Sequence, residues 1–203
     1  VSYNHSVGDA MVIRRLKKSN GFANALNEGL ALCTSDYIAR MDSDDISLPN
    51  RFEDQYNYLQ TYKSIDVLGS WISEIDDLNN VTRTVVKYPH SHNDCFEMFK
   101  YRDPVAHPSV MFRKNFFERS GLYRVDVPLF EDTVMWYQGF KYGCQFGNLQ
   151  KVCLKYRRST NFFKKRSVFK KGFQLLWFRV SIINPGLKYG FKGNVYAFAY
   201  FIM

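Results

Sequence analysis

No acidic residue follows Asp132. The remaining stretch, Thr133–Met203, carries 13 Lys/Arg, so the first 132 residues hold 15 basic and 19 acidic residues, a net of −4 beneath an overall charge of +9. The asymmetry separates an acidic portion suited to binding or catalysis from a basic tail. Long apolar runs are missing too: no stretch of about 18 uncharged apolar residues gives reason to expect a transmembrane helix. The start shows no signal-peptide pattern, and its first residue is Val1 rather than Met, as in a fragment. Cysteine is sparse. Cys33, Cys95, Cys144 and Cys153 form no C-x-x-C pair and read as reduced, buried thiols of a cytosolic protein. His90, His92 and Cys95 cluster in HSHNDC, but the spacing fits no standard zinc site and lacks a fourth ligand, so the segment reads as a polar loop. There is no internal repeat and no low-complexity linker. Hydrophobic residues make up 46% of the chain and aromatics 17%, which excludes disorder, and 203 residues suffice for one sizeable domain with a core.

Strands and helices alternate along the chain, which predicts the α/β class. The spacing of Phe22, Ala25, Leu26, Leu30 and Leu32 predicts a helix with one buried face. YIARM reads as a short buried strand ending on Asp42. Ser47 is a candidate N-cap, with Pro49 in the first turn of a helix whose buried stripe would be Phe52, Tyr56 and Leu59. DVLGSWI and TRTVVKYP read as strands, the second closed by Pro89. HPSVMFR reads as a strand entering the short helix KNFFERS, stopped by Gly121. EDTVMWYQGFKYG reads as a helix closing at Gly143, followed by two strands, CQFGNL and VCLKYR.

Asp42, Asp44 and Asp45 crowd into four positions where that first strand gives way to a helix, the place where open α/β sheets bind ligands. Like charges so close repel unless a cation or water sits among them. An EF-hand loop is excluded, because its fifth and sixth positions would be Ile46 and Ser47. An exposed turn of solvated acids is the bland alternative. The oxygen-only set suits Mg²⁺ or Mn²⁺, which commonly share substrate phosphates. A nucleotide-sugar is a substrate with that need.

NGFANALNEGL…SDYIARMDSDDISLPNRFEDQ resembles the heart of a bacterial family 2 glycosyltransferase of the GT-A fold. HPSVMFRK, GLYR, FEDTVMWYQGFKYG and LKYR resemble its acceptor-side segments in the expected order. The likeness runs from Asn20 to Arg158. It implies a GT-A-like (Rossmann-like) mixed sheet flanked by helices, in which Asp42 and Asp44 bind the metal–diphosphate and Asp45 supports or shares that task. Glu131-Asp132 resembles the family's E-D pair, in which the Asp is the catalytic base of an inverting displacement; the same pair also reads as helix N-terminal charges. His107 matches a recurring position near the acceptor and leaving group, or is a satisfied histidine before a proline turn. Trp136 lines the acceptor site or belongs to the core. Asn20, Gly21, Asn24 and Asn27 match the segment before the metal strand, where Asn24 or Asn27 touches the nucleotide or serves structure. The family's first βαβ unit, with its uracil and ribose contacts, has no convincing counterpart; VSYN is a faint echo out of place. The expectation is therefore an N-terminally truncated domain over 1–158 whose sheet has an uncovered edge.

Residues 159–203 interleave cations with Phe, Tyr and Trp, a pattern that suits an anionic membrane surface. A polysaccharide or lipid-linked glycan acceptor would be met there, placing the chain in the cytoplasm, peripheral at the inner face of the cell membrane. A nucleic-acid partner is not expected, since no helix-turn-helix, zinc-finger or RNP pattern accompanies the basic residues. The readings outside this one are a binding module without turnover and a nucleic-acid binder acting through the tail.

Overall fold

The computed structural model describes residues 15, 16, 21–127, 130–158 and 168–202; for 168–171 it describes the backbone alone. Asn20 and VSYN lie outside the described residues. A mixed sheet runs in the order β1 (Tyr37–Ala39), β5 (Met111–Arg113), β3 (Val67–Ile75), β6 (Phe146–Arg157), β2 (Ile46–Ser47), with β4 (Val81–Val86) paired to the far half of β3. β3 and β6 are parallel; the other pairs are antiparallel. The helices are α1 (Phe22–Leu32), α2 (Arg51–Thr61), α3 (His92–Phe99), α4 (Asn115–Ser120), α5 (Glu131–Lys141), α6 (Val168–Phe178), α7 (Asn184–Gly186) and α8 (Gly190–Ile202). A π-helical stretch, Arg179–Ile183, joins α6 to α7. The α/β class and the mixed sheet match the expectation. β1 is an edge strand, and among the described strands it pairs only with β5.

The core is aromatic. Phe140 and Phe146 stack with centroids 4.1 Å apart, and Phe99, Phe112, Phe116 and Trp136 close around them. Gly139 makes this packing possible: a Cβ there would lie 2.7 Å from the Phe146 ring and 2.8 Å from that of Phe116. Gly121 ends α4 with φ +81, a conformation only glycine adopts freely. Ile183 and Tyr189 join the same core, and the Tyr189 hydroxyl donates to the Phe96 carbonyl at 2.6 Å. The change of composition at residue 158 is thus not a break in the packing.

Several local expectations are corrected. Ser47 is in β2, and α2 starts at Arg51 with Asn50 at its N-cap position. The buried face of α2 is Arg51, Gln55 and Leu59, while Phe52 and Tyr56 are exposed. The polar pair wins the inside because carbonyls from distant segments need donors there. Gln55 Nε2 donates to the carbonyls of Leu68 (2.9 Å) and Ser109 (2.8 Å), and Arg51 Nη2 to that of Arg40 (2.6 Å). The two strands read in CQFGNL and VCLKYR are one strand, β6, whose register against β3 shifts between Leu149 and Val152. His107–Ser109 is a 3₁₀ turn before β5. HSHNDC is not a loop throughout: Ser91 caps α3 by accepting from the Asp94 N–H, and His92 Nδ1 accepts from the Phe146 N–H at 3.1 Å. The four cysteines are free and all but Cys33 are buried.

Replacing Gln55 with Leu strands two buried carbonyls and is expected to lower the unfolding free energy by about 2 kcal/mol or more. The measurement is the urea midpoint; Phe52→Ser, on the outward side of the same helix, is expected to cost less.

Candidate active site

β1 continues through Arg40, whose N–H donates to the Val110 carbonyl at 2.9 Å, into the turn bearing the three acids. One oxygen from each of Asp42, Asp44 and Asp45 lies within 4.8 Å of the others. Asp44 is exposed, Asp42 partly so, and Asp45 is 7% exposed. Three arginines lie around this turn. Arg40 grips both oxygens of Asp42, with Nη1 2.9 Å from Oδ2. The Arg157 N–H donates to Asp45 Oδ1 at 2.8 Å and its Nε to the Asp44 carbonyl at 2.8 Å, while Nη1 and Nη2 reach the Asp76 carbonyl and Asn79 Oδ1, both at 2.6 Å. Arg51 is buried behind Arg40; burial lowers its pKa to about 10, so it stays charged at neutral pH. Burial raises the Asp45 carboxyl to about 6; the Arg157 N–H opposes this, and the Asp42 and Asp44 charges add to it.

These residues fit a hard divalent cation. Among the described residues the buried Asp45 Oδ2 has no hydrogen-bond partner, and one oxygen from each of the three carboxylates, its own included, converges at this corner. A cation there would share Asp42 with Arg40 or take the place of that guanidinium.

Asp132 lies in the first turn of α5, on the wall of a cavity of about 370 Å³ that also touches His107, Asp103, Arg102 and Tyr88. Its Oδ1 accepts from the Thr133 N–H at 2.8 Å. Although part of its surface meets solvent, burial raises its pKa to about 7; Asp103 and Glu131 push the same way and Arg40 opposes them. Asp103 in turn accepts from the Thr133 hydroxyl and from Arg179 Nη2, both at 2.8 Å. Arg40 therefore belongs to both halves of the site: it binds Asp42 and its field reaches Asp132, His107 and Tyr123.

His107 is buried, with Nε2 2.8 Å from the Tyr123 hydroxyl, and its imidazole is held well below its usual pKa by burial and then by Arg40. It lines the Asp132 cavity as a neutral ring. Trp136 does not line the Asp132 cavity. It is 0% exposed, stacked near Phe112 and edge-on to His107 and Phe146. Asp132 and Trp136 are four residues apart and share a face of α5; Asp132 stands at its open first turn, while Trp136, one turn further on, is enclosed by Phe112, His107 and Phe146. Glu131 sits beside Asp132, partly exposed. Asn24 is partly exposed on α1, a turn before Asn27, whose amide brackets the Tyr123 backbone by donating to its carbonyl (2.9 Å) and accepting from its N–H (3.0 Å). Asn27 is thus structural.

Sequence reasoning missed Arg40, Arg51, Arg157, Asp103 and Tyr123. Arg40 carried a signal, a cation two residues before the acids. Arg157 lies in the LKYR segment of the family likeness, but nothing local ties it to the acids, which it reaches from 113 residues away.

Residues 4–119 match the family described as Glycosyl transferase family 2. The chain is similar to the amylovoran biosynthesis glycosyltransferase AmsE of Erwinia amylovora, 31% identical over 189 residues that cover 92% of this chain and 69% of that protein. It is also similar to the UDP-Gal:alpha-D-GlcNAc-diphosphoundecaprenol beta-1,3-galactosyltransferase of Escherichia coli, 34% identical over 155 residues, covering 76% and 56% of the two chains. Among solved structures, S. aureus TarS 1-349 in complex with UDP-GlcNAc aligns with a TM-score of 0.64 at 12% identity, covering 90% of this chain and 54% of that one, a likeness of fold. The chain thus spans 54% to 69% of the length of these relatives. With more than half its length matched and the acid turn inside the matched span, the chain belongs to glycosyl transferase family 2.

Proposed function

We propose that this chain transfers a glycosyl group from a nucleoside-diphosphate sugar to a hydroxyl of a lipid-linked or polysaccharide acceptor in cell-surface polysaccharide biosynthesis, with inversion at the anomeric carbon. The observation that carries the reading is Arg40, which couples a three-carboxylate corner to a cavity walled by a carboxyl of raised pKa. The relatives' names support the substrate classes: one acts on a diphosphoundecaprenol-linked sugar with UDP-Gal, and the structural neighbour holds UDP-GlcNAc.

Asp42, Asp44 and Asp45 are the residues that would hold Mn²⁺ or Mg²⁺, whose positive charge would stabilise the departing diphosphate. Asp132 accepts the proton of the acceptor hydroxyl as its oxygen bonds to the anomeric carbon and the nucleoside diphosphate leaves with the electrons of the old C–O bond. A carboxylate with a pKa near the working pH is better matched to this task than one at its ordinary value. Asp103, fixed by Thr133 and Arg179, supports that raised value. His107 and Glu131 flank the acceptor end.

The tail readings are proposals of the same kind. Phe173, Trp177, Phe191, Tyr196 and Phe198 are exposed on α6 and α8 beside Lys188 and Lys192. Among the described residues no helix is long and apolar enough to cross a membrane. This supports peripheral association with the anionic inner face of the cell membrane.

Asp132→Asn is expected to lower kcat/KM at least about 100-fold in a sugar-transfer assay while binding of the nucleotide persists. Asp44→Ala and chelation of divalent metal are expected to remove turnover as well, and added Mn²⁺ to restore the chelated wild type alone. The profile of kcat/KM against pH is expected to rise through about 7, because Asp132 must lose its proton to act, and to level above it; a flat profile from pH 5 to 8 speaks against Asp132 as base. Sedimentation with vesicles is expected to show binding to phosphatidylglycerol-containing bilayers that weakens with salt, and little binding to neutral ones.

A further inference from the structure

The cavity holding Asp132 and His107 does not end at its charged wall. A second space, about 410 Å³, opens between α6 and α8, and Tyr101, Leu175, Arg179 and Tyr200 line both. The two spaces differ in chemistry. The first is edged by Glu74, Asp103, Asp132 and three arginines. Among the described residues, the second has Arg179 as its one charged lining residue. Gly172 lines it with no side chain and lets the Phe201 ring come close: a Cβ there would lie 3.1 Å from that ring. Each space falls in the range of small-molecule sites, about 300–1,000 Å³.

Arg179 stands at the shared wall. It is 3% exposed and fixed by the Asp103 carboxylate and the Phe99 carbonyl (2.6 Å), yet its buried Nε has no partner among the described residues. A held cation between a polar chamber and an apolar one suits a ligand of three parts: a hydroxyl-bearing head near Asp132, an anionic link at Arg179, and a hydrocarbon tail beyond. A bare polysaccharide has no use for the last part.

We propose that the α6–α8 groove is a binding site for the hydrocarbon chain of a prenyl-diphosphate-linked sugar acceptor, its diphosphate lying against Arg179 and its terminal sugar facing Asp132. The inference rests on the lipid-linked branch of the acceptor reading above and assigns its apolar part to named residues. Gly172 then acts as a specificity determinant, since any side chain there narrows the channel.

The test compares acceptors of one sugar diphosphate carrying a methyl, a farnesyl or a longer prenyl group. The KM of the wild-type chain is expected to fall at least about tenfold from methyl to farnesyl, and Gly172→Leu is expected to collapse that difference. A second readout needs no turnover: calorimetry with farnesyl diphosphate against inorganic pyrophosphate, in the absence of sugar donor, is expected to show the farnesyl compound binding tighter, with the preference lost in Gly172→Leu. Equal affinity for the two compounds in the wild type, or a chain preference undiminished in a folded Gly172→Leu variant, overturns the groove. The wild-type comparison decides even if the variant fails to fold. Preference for farnesyl diphosphate without transfer to any acceptor supports the groove while removing the proposed reaction; transfer with equal KM for methyl and farnesyl acceptors does the reverse.

Discussion

Three carboxylates within one short turn repel one another, and a fold that keeps them together must set positive charge around them. Here Arg40, just past the strand that delivers the turn, pairs with Asp42; Arg51, from the helix that follows, is buried behind it; and Arg157, at the far end of β6, gives its backbone N–H to Asp45 and its Nε to the Asp44 carbonyl. The compensation is incomplete at Asp45, which keeps a raised pKa and a buried oxygen without a partner among the described residues. That residual frustration lies where a divalent cation would remove it, which is how a structural cost at the corner serves binding.

The same logic holds across the cavity. Asp132, Asp103 and Glu131 press on one another at the start of α5, and the cations that relieve them are again shared, Arg179 with Asp103 and Arg40 at longer range with Asp132. One guanidinium serving both acid groups ties the acid turn to the Asp132 cavity. Substitution of Arg40 therefore acts on both groups at once, and its effects on the two are not separable.

Much of this was legible in the sequence, and the reason differs by element. α4 and α5 end at glycines, a signal within one short window; α1 forms where the apolar spacing predicts a helix, but Phe22, Ala25 and Leu32 of the expected buried stripe are exposed, Leu26 and Leu30 are partly buried, and Ala23 is the buried residue. The acid turn declared itself through charge density, and Glu131-Asp132 through a family likeness. What was illegible depends on partners far away in the chain. Gln55 goes inside because carbonyls at Leu68 and Ser109 require donors, and no local pattern encodes that need. Trp136 was an ambiguous aromatic until the facing Phe112 and Phe146 decided its side. β6 read as two strands because its mid-strand irregularity interrupts the alternation, although parallel pairing with β3 continues on both sides.

Arg157 has one more tie. Besides the acids it holds the backbone at Asp76 and the side chain of Asn79, in the hairpin bend between β3 and β4, where Asp76 itself is pinned by bonds from Leu78 and Asn80. Surface bends are ordinarily where a protein tolerates lengthening. This one is an outrigger: adding or deleting a residue in it would pull on the guanidinium and shift the neighbouring aspartates, so that a segment with no ligand of its own sets the tuning of the corner.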